Sequence, residues 1–186
     1  MEERLYYMPA EDALQLPAEG IMQLDQVGDL ELGRSFAEED FMSRDQARAM
    51  WQERIQQGMH VLTHVRDGRL VCYGWMIPRQ AYTYVLKRHR VDLPPDSAGV
   101  YNFFVDPEYR QGDYYPNALM EGLQAAARIP GTSRVYLSAT TDLTIPLWWV
   151  ERLGCVHEAT YFYDRILWHT RIWKTGPARH AANVHA

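Results

Sequence analysis

Apolar and polar positions follow two periods along this chain, and the changes between them mark its elements. "RLYYMP" near the N-terminus reads as a short strand, whereas residues 10–42 have weak periodicity with acidic punctuation and assign to no single element. Over "SRDQARAMWQERIQQG" the period is helical, with Ala47, Met50, Trp51 and Ile55 on one face. Ser43 and Gln46 have capping-box spacing, and Gly58 can end the helix in the left-handed conformation. "MHVLTHVRDGRLVCYGWMIPR" then holds two β-rich runs around Asp67-Gly68, a tight-hairpin signal. "LPPDSAG" is a loop, and "VYNFFVDP" an apolar, aromatic strand that ends at Asp106-Pro107. From Pro116 a helix with Leu119, Leu123 and Ala126 or Ala127 on its stripe runs to Pro130-Gly131. "RVYLSAT" is a buried strand. Thr144 and Pro146 start a helix through "LWWVERL" to Gly154, and "VHEATYFYD" and "ILWHTRIWK" are closing strands. This order predicts a mixed sheet with one strand–helix–strand crossover in its second half.

Composition narrows the partners. At 186 residues the chain has the length of one domain with a full core. Residues 1–174 are read as that domain and 175–186 as a disordered tail, since "TGPARHAANVHA" lacks periodicity. The net charge of -5 and the lack of a basic block argue against nucleic acid. No stretch approaches the roughly 18 apolar residues of a membrane span, so the expectation is a cytoplasmic protein without a membrane partner. Cys72 and Cys155 make no disulfide framework or zinc pattern and read as buried thiols. His60 and His64 lie four apart in a predicted strand, roughly 13 Å, too far to share an ion, so no metal is expected. A C-terminal edge strand permits a homodimer.

One segment carries candidate chemistry. In "VDPEYRQGDYYPNALMEGL" a strand passes through a short polar loop into a helix, the frame of a phosphate-cradling loop. With the element order and "LWWVERLGC", it resembles the GNAT superfamily of acyl-CoA-dependent N-acyltransferases. Val105, Asp106, Pro107, Tyr109, Arg110, Ala118 and Leu119 fall in register with the family's strand–loop–helix. Glu151, Arg152, Leu153 and Gly154 match its later helix end. The resemblance covers roughly residues 41–174 and implies a GNAT-like α/β (α+β) fold: a mixed, mostly antiparallel sheet of about six to seven strands, flanked by helices, with splayed central strands.

It also implies an acyltransferase using acetyl-CoA or another acyl-CoA, with an amine acceptor, either a small molecule or a protein. The pantetheine arm would lie between "YNFFV" and "VYLSA" as a pseudo-strand. A backbone N–H near Val105 would polarise the thioester carbonyl. Backbone N–H groups from Gln111 to Tyr115, with Gly112 between them, would meet the pyrophosphate at the helix start. Phe103, Phe104, Arg110, Asp113, Tyr114, Asn117, Thr140 and Asp142 complete the expected donor site.

The chain departs from the family at several of these places. Asp113 and Tyr115 stand where the family loop has its close-approach glycine or alanine, which lack the Cβ or bulk that would hold the backbone off the phosphates. The Asp113 carboxylate either repels a pyrophosphate or turns away to cap the helix beginning at Pro116, and aspartate tolerates a left-handed backbone there. Tyr114 and Tyr115 either pack or stack on the donor. The family's frequent tyrosine acid falls at Val150 and its frequent glutamate base at Gly99. Candidate substitutes are Asn102, Tyr73, His64, Ser138, Thr140 and Asp142, each with core packing or a satisfied hydrogen bond as the plainer alternative. Trp148, Trp149, Trp168 and Trp173 either fill core or offer an aromatic face near an acceptor. Three readings stay open: an N-acyltransferase acting by direct attack in a ternary complex, the same reaction from a carrier-protein donor, and a GNAT-like binding module without chemistry.

Overall fold

The computed structural model describes residues 2–33, 43–86, 89–140, 144–166 and 169–176. Asp142, Trp168 and most of the expected tail lie outside them. The chain divides into two compact units: residues 8–81 with 93–137, and residues 1–7 with 82–92 and 138–186.

The larger unit opens on a short helix, α1 (Ala10–Ala13). A two-residue strand, β2 (Gln23–Leu24), and a 3-10 turn (Val27–Leu32) follow. The predicted capped helix is α2 (Arg44–Gln56). Ser43 accepts from the Gln46 N–H, and the Gln46 side chain returns a bond to the Ser43 N–H, so two donors at the helix start are satisfied. β3 (His60–Arg66) and β4 (Arg69–Ile77) form the hairpin, with Asp67 and Gly68 both at positive φ, as a tight two-residue turn requires. β7 (Ser97–Val105), α3 (Tyr114–Ala127) and β8 (Arg134–Thr140) make the crossover. The strand order in this unit is β8-β7-β4-β3-β2, antiparallel except for β7 with β8.

Helices cover both faces of these strands. On one, Trp51 and Ala47 of α2 pack with Leu30, Val61, Leu70, Tyr73 and Trp75. On the other, α3 lies over β4 and β7, with Ala118 against Cys72 and Val105. Glu121 is buried on α3, where its carboxylate accepts the Ile21 and Met22 N–H groups at 2.8 and 2.7 Å and holds the segment before β2 in place.

In the smaller unit, β9 (Val156–Ile166) pairs antiparallel with β1 (Glu2–Pro9) and with β10 (His169–Thr175). α4 (Thr144–Arg152) carries Glu151, whose carboxylate accepts from the Tyr6 hydroxyl at 3.0 Å and from Arg4 at 3.1 Å. A second hairpin pairs β5 (Tyr82–Val85) with β6 (His89–Asp92), a stretch to which the sequence analysis assigned no element. Trp148 is half exposed at 50% and lies 4.6 Å from Trp149 in an edge contact. Cys72 and Cys155 are buried, and burial pushes both thiols up to about 12. No helix among the described residues is long and apolar enough to cross a membrane.

Candidate functional site

The site begins where the β7–β8 ladder stops. Among the described residues only Ser97↔Arg134, Ala98↔Val135 and Gly99↔Tyr136 pair, yet β7 runs on to Val105 with β4 as its one ladder partner there. Tyr101 is opposite Trp75 and Phe104 is opposite Tyr73, so Asn102 and Phe103 together face Gly74. This is a β-bulge, and Asn102 bears its strain at φ 55°. Asn102 Nδ2 is buried without a hydrogen-bond partner among the described residues.

The extra residue reverses which side chains face α3. Tyr101 and Phe104 pack on the α2 side, while Phe103 and Val105 join the α3 side. The Phe103 ring is boxed between two glycines. A Cβ on Gly74 would lie 2.3 Å from Cε1, and one on Gly122 would lie 2.3 Å from Cζ. Phe103 therefore wedges β7 against α3, and Gly122 keeps a helix-disfavoured residue in mid-helix to admit it.

Beyond β7 the Asp106 side chain accepts the Glu108 N–H at 3.0 Å and closes a single 3-10 turn, Pro107–Tyr109. Arg110 is exposed, and its Nε donates to the Val105 carbonyl at 3.1 Å, while its guanidinium lies 5.6 Å from the Phe104 ring. The N–H groups of Gln111, Asp113, Tyr114 and Tyr115 meet no acceptor among the described residues, at the start of a helix of 14 residues.

The helix starts at Tyr114, ahead of the expected Pro116, which falls in its first turn. Asp113 occupies the N-cap position, but its side chain makes no cap bond and its φ is -83°, so neither the capping nor the left-handed expectation holds. The carboxylate is exposed beside the open N–H groups. Tyr114 folds back on Gly112, where a Cβ would come within 3.1 Å of its ring. It also stacks on His64 at 5.8 Å, meets Tyr109 edge-on at 5.7 Å, and takes a 2.8 Å bond on its hydroxyl from Arg66. Tyr115 packs against Cys72, Val105 and Ala118, and burial raises its phenol well above the ordinary range. Both tyrosines are packing residues. Asn117 is buried in the first turns of α3.

The remaining candidates scatter. Tyr73 is buried in the α2-side core with its ring 5.6 Å from Phe104. His64 Nδ1 hydrogen-bonds the Ile21 carbonyl at 2.9 Å. Ser138 is exposed and Thr140 half-buried on the part of β8 assigned to the smaller unit, and Asp142 lies outside the described residues. Val150, at the expected acid position, is buried core.

Gly99, at the expected base position, is covered by a side chain from elsewhere. A Cβ there would lie 1.7 Å from Gln80 Oε1. Sequence reading missed Gln80, because only the backbone after β4 brings it back over β7. Its one sequence-level sign is a lone glutamine between a Pro-Arg turn and a β-rich run.

No family model matches the sequence, and no curated protein matches it either. Solved structures do. The chain is similar to a conserved protein of unknown function from Staphylococcus epidermidis (16% identity, TM-score 0.55, 86% of this chain and 58% of that one). It is similar to a tandem GNAT protein from the clavulanic acid biosynthesis pathway (13%, TM-score 0.53, 94% and 53%). It is also similar to the aminoglycoside N-acetyltransferase AAC(6')-Iy in complex with CoA (16%, TM-score 0.51, 81% and 98%). The chain spans only about half to three-fifths of the first of these neighbours. The chain has the fold of the GNAT acetyltransferases, a mixed, largely antiparallel sheet flanked by helices.

Proposed function

We propose that this protein is an N-acyltransferase that moves an acyl group, foremost acetyl, from acyl-CoA to an amine by direct attack in a ternary complex. The observation that carries the reading is the run of open backbone N–H groups at Gln111, Asp113, Tyr114 and Tyr115, where α3 begins and its dipole favours an anion. Arg110 and Arg66, both exposed nearby, add cations that offset the Asp113 carboxylate. The early end of the β7–β8 ladder leaves β7 backbone free for a pantetheine arm to bond as a pseudo-strand. In the step itself the amine nitrogen bonds to the thioester carbon, the C–S bond breaks, and the thiolate leaves and takes up a proton. The bulged Asn102–Val105 backbone would supply an N–H to the carbonyl oxygen as charge develops. In this reading Asn102 would touch the reacting atoms, and Tyr73 would support Phe104 from the core.

Asp113 favours a second reading, a GNAT-like module that binds without transferring. An uncapped, exposed carboxylate at the phosphate position would weaken CoA. Calorimetry with acetyl-CoA, octanoyl-CoA and free CoA separates the two readings. The transferase predicts micromolar binding, with octanoyl-CoA favoured if a longer chain is carried. Absence of heat with all three would leave the module.

A further inference from the structure

Gln80 is delivered to β7 by a turn that an ordinary loop would avoid. Arg79 has φ 51°, a left-handed conformation disfavoured for a residue with a Cβ. The Gln80 N–H donates to the Ser97 carbonyl at 2.7 Å, which fixes the residue beside the strand. Its carboxamide then folds over Gly99, the position that ends the β7–β8 ladder. With Gln80 in this position glycine fits at 99, since the Gln80 oxygen occupies the place of a Cβ, and a larger residue there would displace the carboxamide. Gln80 is 9% exposed, and its side chain has no hydrogen-bond partner among the described residues. Two residues along the same face, the Ser97 hydroxyl is buried and also has no partner there. A strained turn, a side chain excluded from the strand and two buried polar groups with unspent capacity converge at the closed end of the split.

We infer that Gln80 positions the acceptor, and that the acceptor is a weakly basic primary amine, such as an amino sugar or an α-amino group. This rests on the acyltransferase reading above. A carboxamide as buried as that of Gln80 accepts from the neutral amine that attacks, and because it carries no charge of its own it does not offset the cost of taking an ammonium out of water. A carboxylate in the same place would do the reverse. Near pH 8 an α-amino group is about half free base, whereas an amine of lysine basicity is less than about 1% free base. The site therefore selects by basicity, and no enzyme group has to remove the first proton.

NMR of the full chain tests this, with the Gln80 side-chain amide assigned by its loss in Gln80→Ala. Glycinamide and n-butylamine serve as probes at pH 8, and acetyl-CoA is titrated in parallel. Glycinamide should shift the Gln80 amide saturably and bind at least about tenfold tighter than butylamine, from the free-base fractions. Gln80→Ala should weaken glycinamide about fivefold or more, the loss of one uncharged hydrogen bond, and leave acetyl-CoA affinity within about twofold. Gln80→Glu, of similar shape, should reverse the order of the probes. An unmoved Gln80 amide, or equal affinity for both amines, overturns the inference even if acetyl-CoA binds. Glycinamide binding without acetyl-CoA binding overturns the transferase reading and leaves the amine site standing.

Discussion

Replacing Gly122 by alanine should destabilise the protein, against the rule for helices. Alanine in a helix interior is favoured over glycine by about 0.8–1 kcal/mol, so an unobstructed change would stabilise. Here the new methyl meets Phe103 Cζ at 2.3 Å and Cε1 at 3.0 Å, and the ring cannot retreat freely because Gly74 lies close behind it, where even a Cβ would come within 2.3 Å of the ring. Forcing a methyl into such a space costs about 1–3 kcal/mol. The net loss is about 1 kcal/mol, or roughly 2–4 °C in Tm for a chain of this size. Urea unfolding of Gly122→Ala, Phe103→Leu and the double variant would measure it. Leucine lacks the two ring atoms in collision, so Gly122→Ala should become stabilising in that background, with a coupling of about 1–2 kcal/mol. A rise in stability from Gly122→Ala in the parent chain would refute the wedge.

Asp113→Gly should leave Tm within about 2 °C, since no cap bond is lost, and should tighten CoA several-fold by calorimetry. Ser43→Ala should cost about 1 kcal/mol in urea unfolding by opening the capping box of α2. Burial, reinforced by the bond to Glu151, pushes the Tyr6 phenol up to about 12 from an ordinary 10. The fold holds this proton more tightly than the unfolded chain, so stability is complete below pH 10 and falls between pH 10 and 12. The loss is roughly 2 kcal/mol; Tyr6→Phe should remove that part of the alkaline decline, and an unchanged decline would refute it. Thiol titration at pH 8 should find Cys72 and Cys155 unreactive until the chain unfolds.

The elements with strong local signals were legible in the sequence. Ser43 with Gln46, Asp67-Gly68 and Asp106-Pro107 declare their structures within a few residues, because caps, tight turns and proline act locally. The β5–β6 hairpin was not, since Leu86 adopts positive φ at its turn without a glycine to announce it. Asp113 misled for a related reason. A short polar side chain before a helix is only a candidate cap, and whether it bonds depends on loop geometry that the pattern does not carry. The loop frame was legible in "VDPEYRQGDYYPNAL" and most of β7 in "VYNFFVDP", but Gln80 and the bulge at Asn102 arise from contacts between strands. No spacing along the chain encodes them.

The doubled step in β7 makes counting by twos unsafe from Asn102 onward. Pairing the same letters one-to-one from Tyr101, without the bulge, would transpose Phe104 and Val105 between the two layers and draw the wedge out from under α3, whereas deleting Asn102 would leave every ring on its present side. A chain of this fold that keeps an identical aromatic run but pairs it without the doubled step would present the opposite side chains to α3.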